Sequence, residues 1–130
     1  MSGLDGQLRP HAEDPQRLVA DLPSPRVQAH AANLMVLKDG TLACVWFGGS
    51  MEGKSDICVF MSRLPVGATQ WSQPVQLSSD PDRSEQNPIL FPTPHGDLWL
   101  LHTAQSAGHQ DTAVVRHRIS KDNGQTWGCL

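Results

Sequence analysis

Residues 120–127 read Ser-Lys-Asp-Asn-Gly-Gln-Thr-Trp. Ser120, Asp122, Gly124, Thr126 and Trp127 fill every fixed position of the pattern Ser-x-Asp-x-Gly-x-Thr-Trp. An Asp two residues ahead of a Gly can accept hydrogen bonds from the turn's own backbone N–H groups. The Gly takes a positive φ that a side chain would resist. The Thr hydroxyl can bond locally, and the Trp can leave the turn to cap an apolar layer. The stretch is a hairpin turn with a built-in clamp.

Outward from this turn the chain reads as short strands. Residues 33–37 are apolar, Lys38, Asp39, Gly40 and Thr41 make a hairpin turn, and 42–47 form a second apolar strand. A Gly-rich loop covers 48–55, residues 56–63 read as a third strand, 64–70 as a turn and 71–77 as a fourth. The order then recurs, with strands at 87–91, 98–102 and 112–120, a turn at Pro94, His95, Gly96 and Asp97, and a loop over 103–110. Gly40 and Gly96 are 56 residues apart (96 − 40), as are Trp71 and Trp127 (127 − 71), and Asn33 and Asn87 are 54 apart (87 − 33). A four-strand unit repeating at this period is the signature of a propeller blade. On this reading 62–71 is an eroded copy of the 120–127 turn that keeps Ser62 and Trp71, and Trp46 and Trp99 take matching strand positions.

The complete motif and its eroded copy make the chain resemble the Asp-box (BNR-repeat) β-propellers of the sialidase superfamily. The resemblance covers roughly residues 26–128. It implies an all-β fold, a sialidase-type β-propeller of which about two four-stranded blades are present, at 28–80 and 81–130. In that family the box is a structural turn remote from the active site. A ring closes only with about four to eight blades, so the expectation is a fragment or truncated chain, inactive by itself and self-associating through unpaired blade faces.

Composition narrows the alternatives. The formal charge of −3, with 18% charged residues and no block of like charge, gives no basic surplus for nucleic acid. No apolar run approaches the length of a membrane span, and the first residues lack a cationic region followed by an apolar one. The expectation is therefore no nucleic-acid partner, no membrane, and a cytoplasmic location by default unless the N-terminus is incomplete. Residues 1–27, with Pro10, Pro15, Pro23 and Pro25, read as an irregular leader lying over the domain, with one helical turn at 16–22. Cys44, Cys58 and Cys129 read as buried free thiols. Neither the cysteines nor the histidines show metal-ligand spacing, so no metal and no cofactor are expected.

In a propeller, loops at one end of the inner strands converge on the axis. Three segments qualify: 28–33 with His30, 83–88 with Gln86 and Asn87, and the pair of loops 48–56 and 105–111. Sialidases place an Arg-Ile-Pro motif where this chain has His30, Ala31 and Ala32, and retaining sialidases use a Tyr nucleophile, whereas this chain has no Tyr. The segments around His30, Glu85, Gln86 and Asn87, with Gly48, Gly49, Gln110 and Asp111, are more similar to a non-sialidase branch. That branch includes enzymes, lyases and hydrolases alike, that cleave L-rhamnose linked to D-glucuronate.

The resemblance to this branch implies a glycan substrate carrying a uronate. A lyase must neutralise the uronate carboxylate and remove the C5 proton with a base titrating near neutrality, and His meets the second need. His30 is then the catalytic base or acid, and Gln86, Asn87 and Arg116 contact the carboxylate or hydroxyls. Asp56 is the counterpart of an acidic residue that sialidases keep near this strand. Arg116 and Arg118 alternate along one strand and share a face, with His117 opposite. The alternatives are an exo-α-sialidase and a non-catalytic propeller remnant or binding module. Each residue also has a plainer role: His30 held by local bonds, Asn87 as a turn former before Pro88, and Asp56 ordering its loop.

Overall fold

Apolar residues alternating with polar ones between Gly-bearing turns make antiparallel strands, and the computed structural model, which describes residues 3–128, contains no helix within that range. The strands are β1 (Arg9–Pro10), β2 (Leu18–Val19), β3 (Gln28–Val36), β4 (Leu42–Gly49), β5 (Cys58–Leu64), β6 (Val75–Gln76), β7 (Arg83–Pro92), β8 (Leu98–Ser106) and β9 (His109–Ser120). They form a β1-β2 hairpin, a sheet in the order β3-β4-β5-β6, and a sheet in the order β7-β8-β9. A bridge between Ile119 and Gly128 stands beside β9, where β6 stands beside β5 in the first sheet.

The two sheets repeat each other at a spacing of 56. Val36 pairs with Leu42 and Pro92 with Leu98, next to turns closed by Gly40 (φ 86) and Gly96 (φ 92). Both inner strands carry a bulge, at which the register slips between His30 and Asn33 and again between Gln86 and Ile89. Ala31 (φ 54) and Asn87 (φ 53) sit at these slips with left-handed backbones. An extra residue at a bulge moves the following side chains to the opposite face.

This register corrects three equivalences read from sequence. Asn87 corresponds to Ala31, and Asn33 to Ile89; Asn33 instead joins the sheets by accepting the Leu90 N–H at 3.0 Å. Trp46 corresponds to His102 and Trp99 to Ala43, because Phe60 opposes Trp46 as Arg116 opposes His102. Leu64, not Ser62, corresponds to Ser120, since each opposes the first residue of the middle strand, so the eroded box keeps Trp71 and has lost its Ser. Other boundaries differ as well. Residues 16–22 hold β2 instead of a helical turn, and the strand expected at 71–77 shrinks to β6. The loop expected over 103–110 is largely strand, with Ser106 pairing His109 across Gly108.

Leu37, Ala43, Val45, Val59, Met61, Leu77, Leu90, Leu98 and Leu100 form one core between the sheets, with Met35 and Trp127 packed on it. Each fully buried aliphatic side chain there stabilises by roughly 1.5–3 kcal/mol. The opposite face of the first sheet buries Cys44, Trp46, Cys58, Phe60 and Trp71 beneath Ala20 and Leu22 of the N-terminal segment. That segment is stitched down by Trp71 N–H donating to Gly6 O (2.9 Å) and Leu8 N–H to Thr69 O (2.8 Å). Cys44 and Cys58 are buried free thiols, and burial pushes Cys44 up to about 11. Cys129 lies outside the described residues.

The 120–127 turn is clamped from within and from the neighbouring sheet. Gly124 N–H donates to Ser120 Oγ at 2.7 Å, and Ser120 Oγ donates to Asp122 Oδ1 at 2.7 Å. Asp122 also accepts from Thr126 N–H at 2.8 Å and from Thr126 Oγ1 at 2.5 Å. The Thr126 hydroxyl bond, above the other contributions, holds the Asp122 carboxyl far below the usual range. Arg63 of β5 reaches across to donate to Asn123 O at 2.9 Å. A Cβ at Gly124 would lie 2.6 Å from Arg63 Nη2, which together with φ 85 reserves the position for glycine.

Candidate functional site

Strand direction puts the Gly40 turn and the 120–127 turn at one end of the sheets. The starts of β3 and β7, the 48–56 loop and the β8–β9 hairpin lie at the other. All five residues singled out in the sequence belong to this second end or lead up to it.

His30 is exposed just before the β3 bulge. Its ring stacks on Phe47 with centroids 5.4 Å apart, and Nε2 lies 3.4 Å from Gln28 Oε1. Gln28 Oε1 also accepts the Glu52 N–H at 3.1 Å, which ties the imidazole to the 48–56 loop. Gln86 takes the same place in β7, 56 residues on (86 − 30), but is buried, with Nε2 donating to Ser84 Oγ at 2.9 Å. Asn87 is exposed at the bulge, its Nδ2 3.4 Å from Thr103 Oγ1, and that hydroxyl donates to Gln86 O at 3.1 Å. Asp56 accepts Ser50 N–H at 3.1 Å, and bonding from Ser50 lowers its carboxyl, so it orders the loop.

Arg116 and Arg118 share a face of β9, and that face meets the first sheet. Arg116 Nη2 lies 2.7 Å from Asp80 Oδ2 and Nη1 lies 3.3 Å from Glu85 Oε2. Arg118 donates to Leu77 O. Both terminal nitrogens of Arg116 therefore rest on carboxylates. Gln86 and Asn87 meet through Thr103, while His30, Asp56 and Arg116 each keep separate partners among the described residues.

A cluster that single-residue reading passed over lies behind Arg116. The Glu85 and His102 side chains are 1% and 0% exposed, and His102 Nε2 stands 3.9 Å from Glu85 Oε2. His102 Nδ1 lies 3.2 Å from Thr103 O, and burial lowers the imidazole below its ordinary value. Asp80 is held low first by the Asp82 N–H and then by Arg116. Glu85 N–H donates to Ile57 O at 3.1 Å, so the cluster is seated in the seam between the sheets. The signal available beforehand was positional: His102 pairs with Arg116, and Glu85 pairs with Ala104, two residues from His102 on the same face of β8, once the register is known. No group of three or more His, Cys, Asp or Glu among the described residues is arranged to hold a metal ion.

Comparison with known proteins bears on the fold. A family model described as a BNR repeat-like domain matches residues 40–129. No curated protein sequence matches the chain. Among solved structures, the chain is similar to the Hadza microbial sialidase Hz136, with a TM-score of 0.65 at 13% sequence identity. The match covers 79% of this chain and 25% of that one, so the chain spans about a quarter of that sialidase's length. The sheets are thus blades of a sialidase-type β-propeller.

Proposed function

The chain belongs to the BNR repeat-like domain family, and from that premise we propose that it is a carbohydrate-active, sialidase-like propeller segment acting on an acidic, uronate-bearing glycan. The observation that carries the reading is the repeated bulge. At the same height on two adjacent inner strands it places polar residues at or beside a left-handed backbone: Gln28 and His30 before Ala31 on one, Gln86 and the left-handed Asn87 itself on the other. Bulges recur where a strand must re-aim side chains beside a site.

The chemistry assigned to this end is proton transfer. With Nε2–H donating to Gln28 Oε1, His30 Nδ1 carries the lone pair that can take a proton. In elimination from a 4-linked uronate, the base removes the C5 proton, the C4–O bond breaks as the C4–C5 double bond forms, and the departing oxygen is protonated. Asn87 is the exposed amide positioned to donate to the substrate, and Gln86 supports it from below through Ser84 and the shared Thr103. Asp56 keeps the neighbouring loop in place. L-Rhamnose on the departing side is the narrower form of this proposal.

Two observations bear on the alternatives. Exo-α-sialidase chemistry asks for arginines free to grip a carboxylate, and Arg116 is engaged by Asp80 and Glu85. The exposed Ile89, Phe91 and Val115 on the outer face of the second sheet favour self-association; a monomer at micromolar concentration in light scattering would reject that part. The test of function is incubation with glucuronate-containing oligosaccharides, following the ultraviolet absorbance of an unsaturated uronate and the release of reducing ends. In a closed propeller that includes this segment, product formation that is lost on His30→Ala is the expected result. Acidic and neutral oligosaccharides that bind equally, or not at all, would overturn the reading.

A further inference from the structure

At the opposite end from His30, the outer strands of the two blades leave a groove of about 450 Å³. Arg63, Gln73 and Gln76 line its first-blade wall, and Arg118, Thr126 and Trp127 its second-blade wall. No Asp or Glu is among its lining residues. The two cations are satisfied only by neutral acceptors: Arg63 Nη1 donates to Asn123 O at 2.9 Å, and Arg118 donates to Leu77 O. Arg63 Nη2 and Trp127 Nε1 have no acceptor among the described residues.

We propose that this groove is a second glycan-binding site, which takes the carboxylate of an acidic saccharide on Arg118 and packs a sugar ring against Trp127. Arg118 is bonded to a carbonyl and has no carboxylate partner among the described residues, so it sets an unpaired cation beside the aromatic wall of Trp127. Asp39 and Asp122, held ionised by their bonds to Thr41 and Thr126, offset the charge of Arg63 on the other side of the groove. A planar fork matches a carboxylate, and an aromatic face offers apolar area to the C–H side of a sugar. Arg63 anchors the groove wall to the 120–127 turn, and Arg118 has only Nη1 engaged, on Leu77 O, which leaves Nη2 to meet a carboxylate. Saccharide, as opposed to another carboxylate, rests on the function proposed above; the unpaired cation of Arg118 does not. The turn that marks the fold then carries a binding surface as well as a clamp.

The experiment is a ¹H–¹⁵N titration of the full chain with trigalacturonate, using maltotriose as the neutral control. The indole N–H resonance of Trp127, assigned by its loss in Trp127→Phe, is expected to shift saturably with trigalacturonate and to stay still with maltotriose. Arg118→Met keeps the stem that packs in the seam, and is expected to weaken the acidic sugar about tenfold. His30→Ala is expected to leave this shift unchanged, so the two ends fail independently. An unmoved Trp127 resonance, an equal response to maltotriose, or an Arg118→Met chain that binds like the native one would overturn the proposal.

Discussion

The same face of the two blades is built from opposite chemistry. In the first blade Ala29, Trp46 and Phe60 occupy three adjacent strands, and Trp46 and Phe60 lie beneath Ala20 and Leu22 of the N-terminal segment. In the second blade the register places Glu85, His102 and Arg116 there, pressed against the first blade. The apolar face buys affinity for whatever covers it and accepts a loosely patterned peptide. The polar face permits one seating, because a displaced Glu85 would be left as an unpaired charge in a dry seam. Fold geometry is common to both faces, and specificity of neighbour is confined to the second.

The largest expected effect comes from the apolar face. Trp46→Ala should destabilise by about 4 kcal/mol, since Trp46 is 5% exposed and stacks with Phe60 at 6.2 Å. Urea denaturation followed by circular dichroism measures it, and a loss below about 1 kcal/mol would mean that the N-terminal segment repacks freely. Glu85→Ala follows at about 3 kcal/mol, the low end for breaking a buried pair, because Arg116 is 37% exposed and retains Asp80. Pairing Glu85→Leu with Arg116→Met should recover most of that loss. A double variant no better than Glu85→Ala would show that the polar set is needed for more than the avoidance of an unpaired charge.

Ser120→Ala ranks next, at about 2 kcal/mol, because the buried Gly124 N–H loses its acceptor. The corresponding Leu64→Ser in the first blade should not restore the same amount, since Val66 stands where a box would have its Asp. The smallest effect is in pH. His102 is lowered in the fold from an ordinary 6.5, so the unfolded chain binds the proton first. Stability is then complete above about pH 7 and falls as pH drops through 6.5, before the carboxylates titrate. Urea midpoints at pH 8 and 5.5 should differ in the native chain and converge in His102→Phe. An unchanged difference in that variant would place the titrating group elsewhere.

Architecture was legible because the 120–127 turn is a local device: Ser120, Asp122, Gly124 and Thr126 bond to one another, and Trp127 packs on the core beside them. Equivalences between blades were less so. The extra residue at the inner-strand bulge is an Ala in one copy and an Asn in the other, and nothing about Ala31 announces a left-handed backbone. Aligning on Asn33 and Asn87 therefore came out two residues off, and Trp46 with Trp99 three. The ion cluster was hidden for a related reason: three residues on three strands become neighbours only when both pairings are known. The N-terminal segment has no period of its own, because two-residue strands draw their order from Thr69 and Trp71. His30 was found by its place at the head of a strand. Its stacking on Phe47 depends on register, while Gln28 reaches it from two residues back on the same strand.

The inner strands are in effect written in two frames. Below the slip, Leu90 faces the first blade and Ile89 and Phe91 face away; above it, Glu85 faces the first blade and Gln86 away. Odd and even numbers exchange sides in passing Asn87, as they do in passing Ala31. Substitutions in the upper frame can be selected for what they touch at the mouth of the propeller, without altering which residues the lower frame sends into the core. Loss of a single codon at the join would merge the frames and turn one set inside out. Such a strand can drift in chemistry at one end for as long as its length is kept.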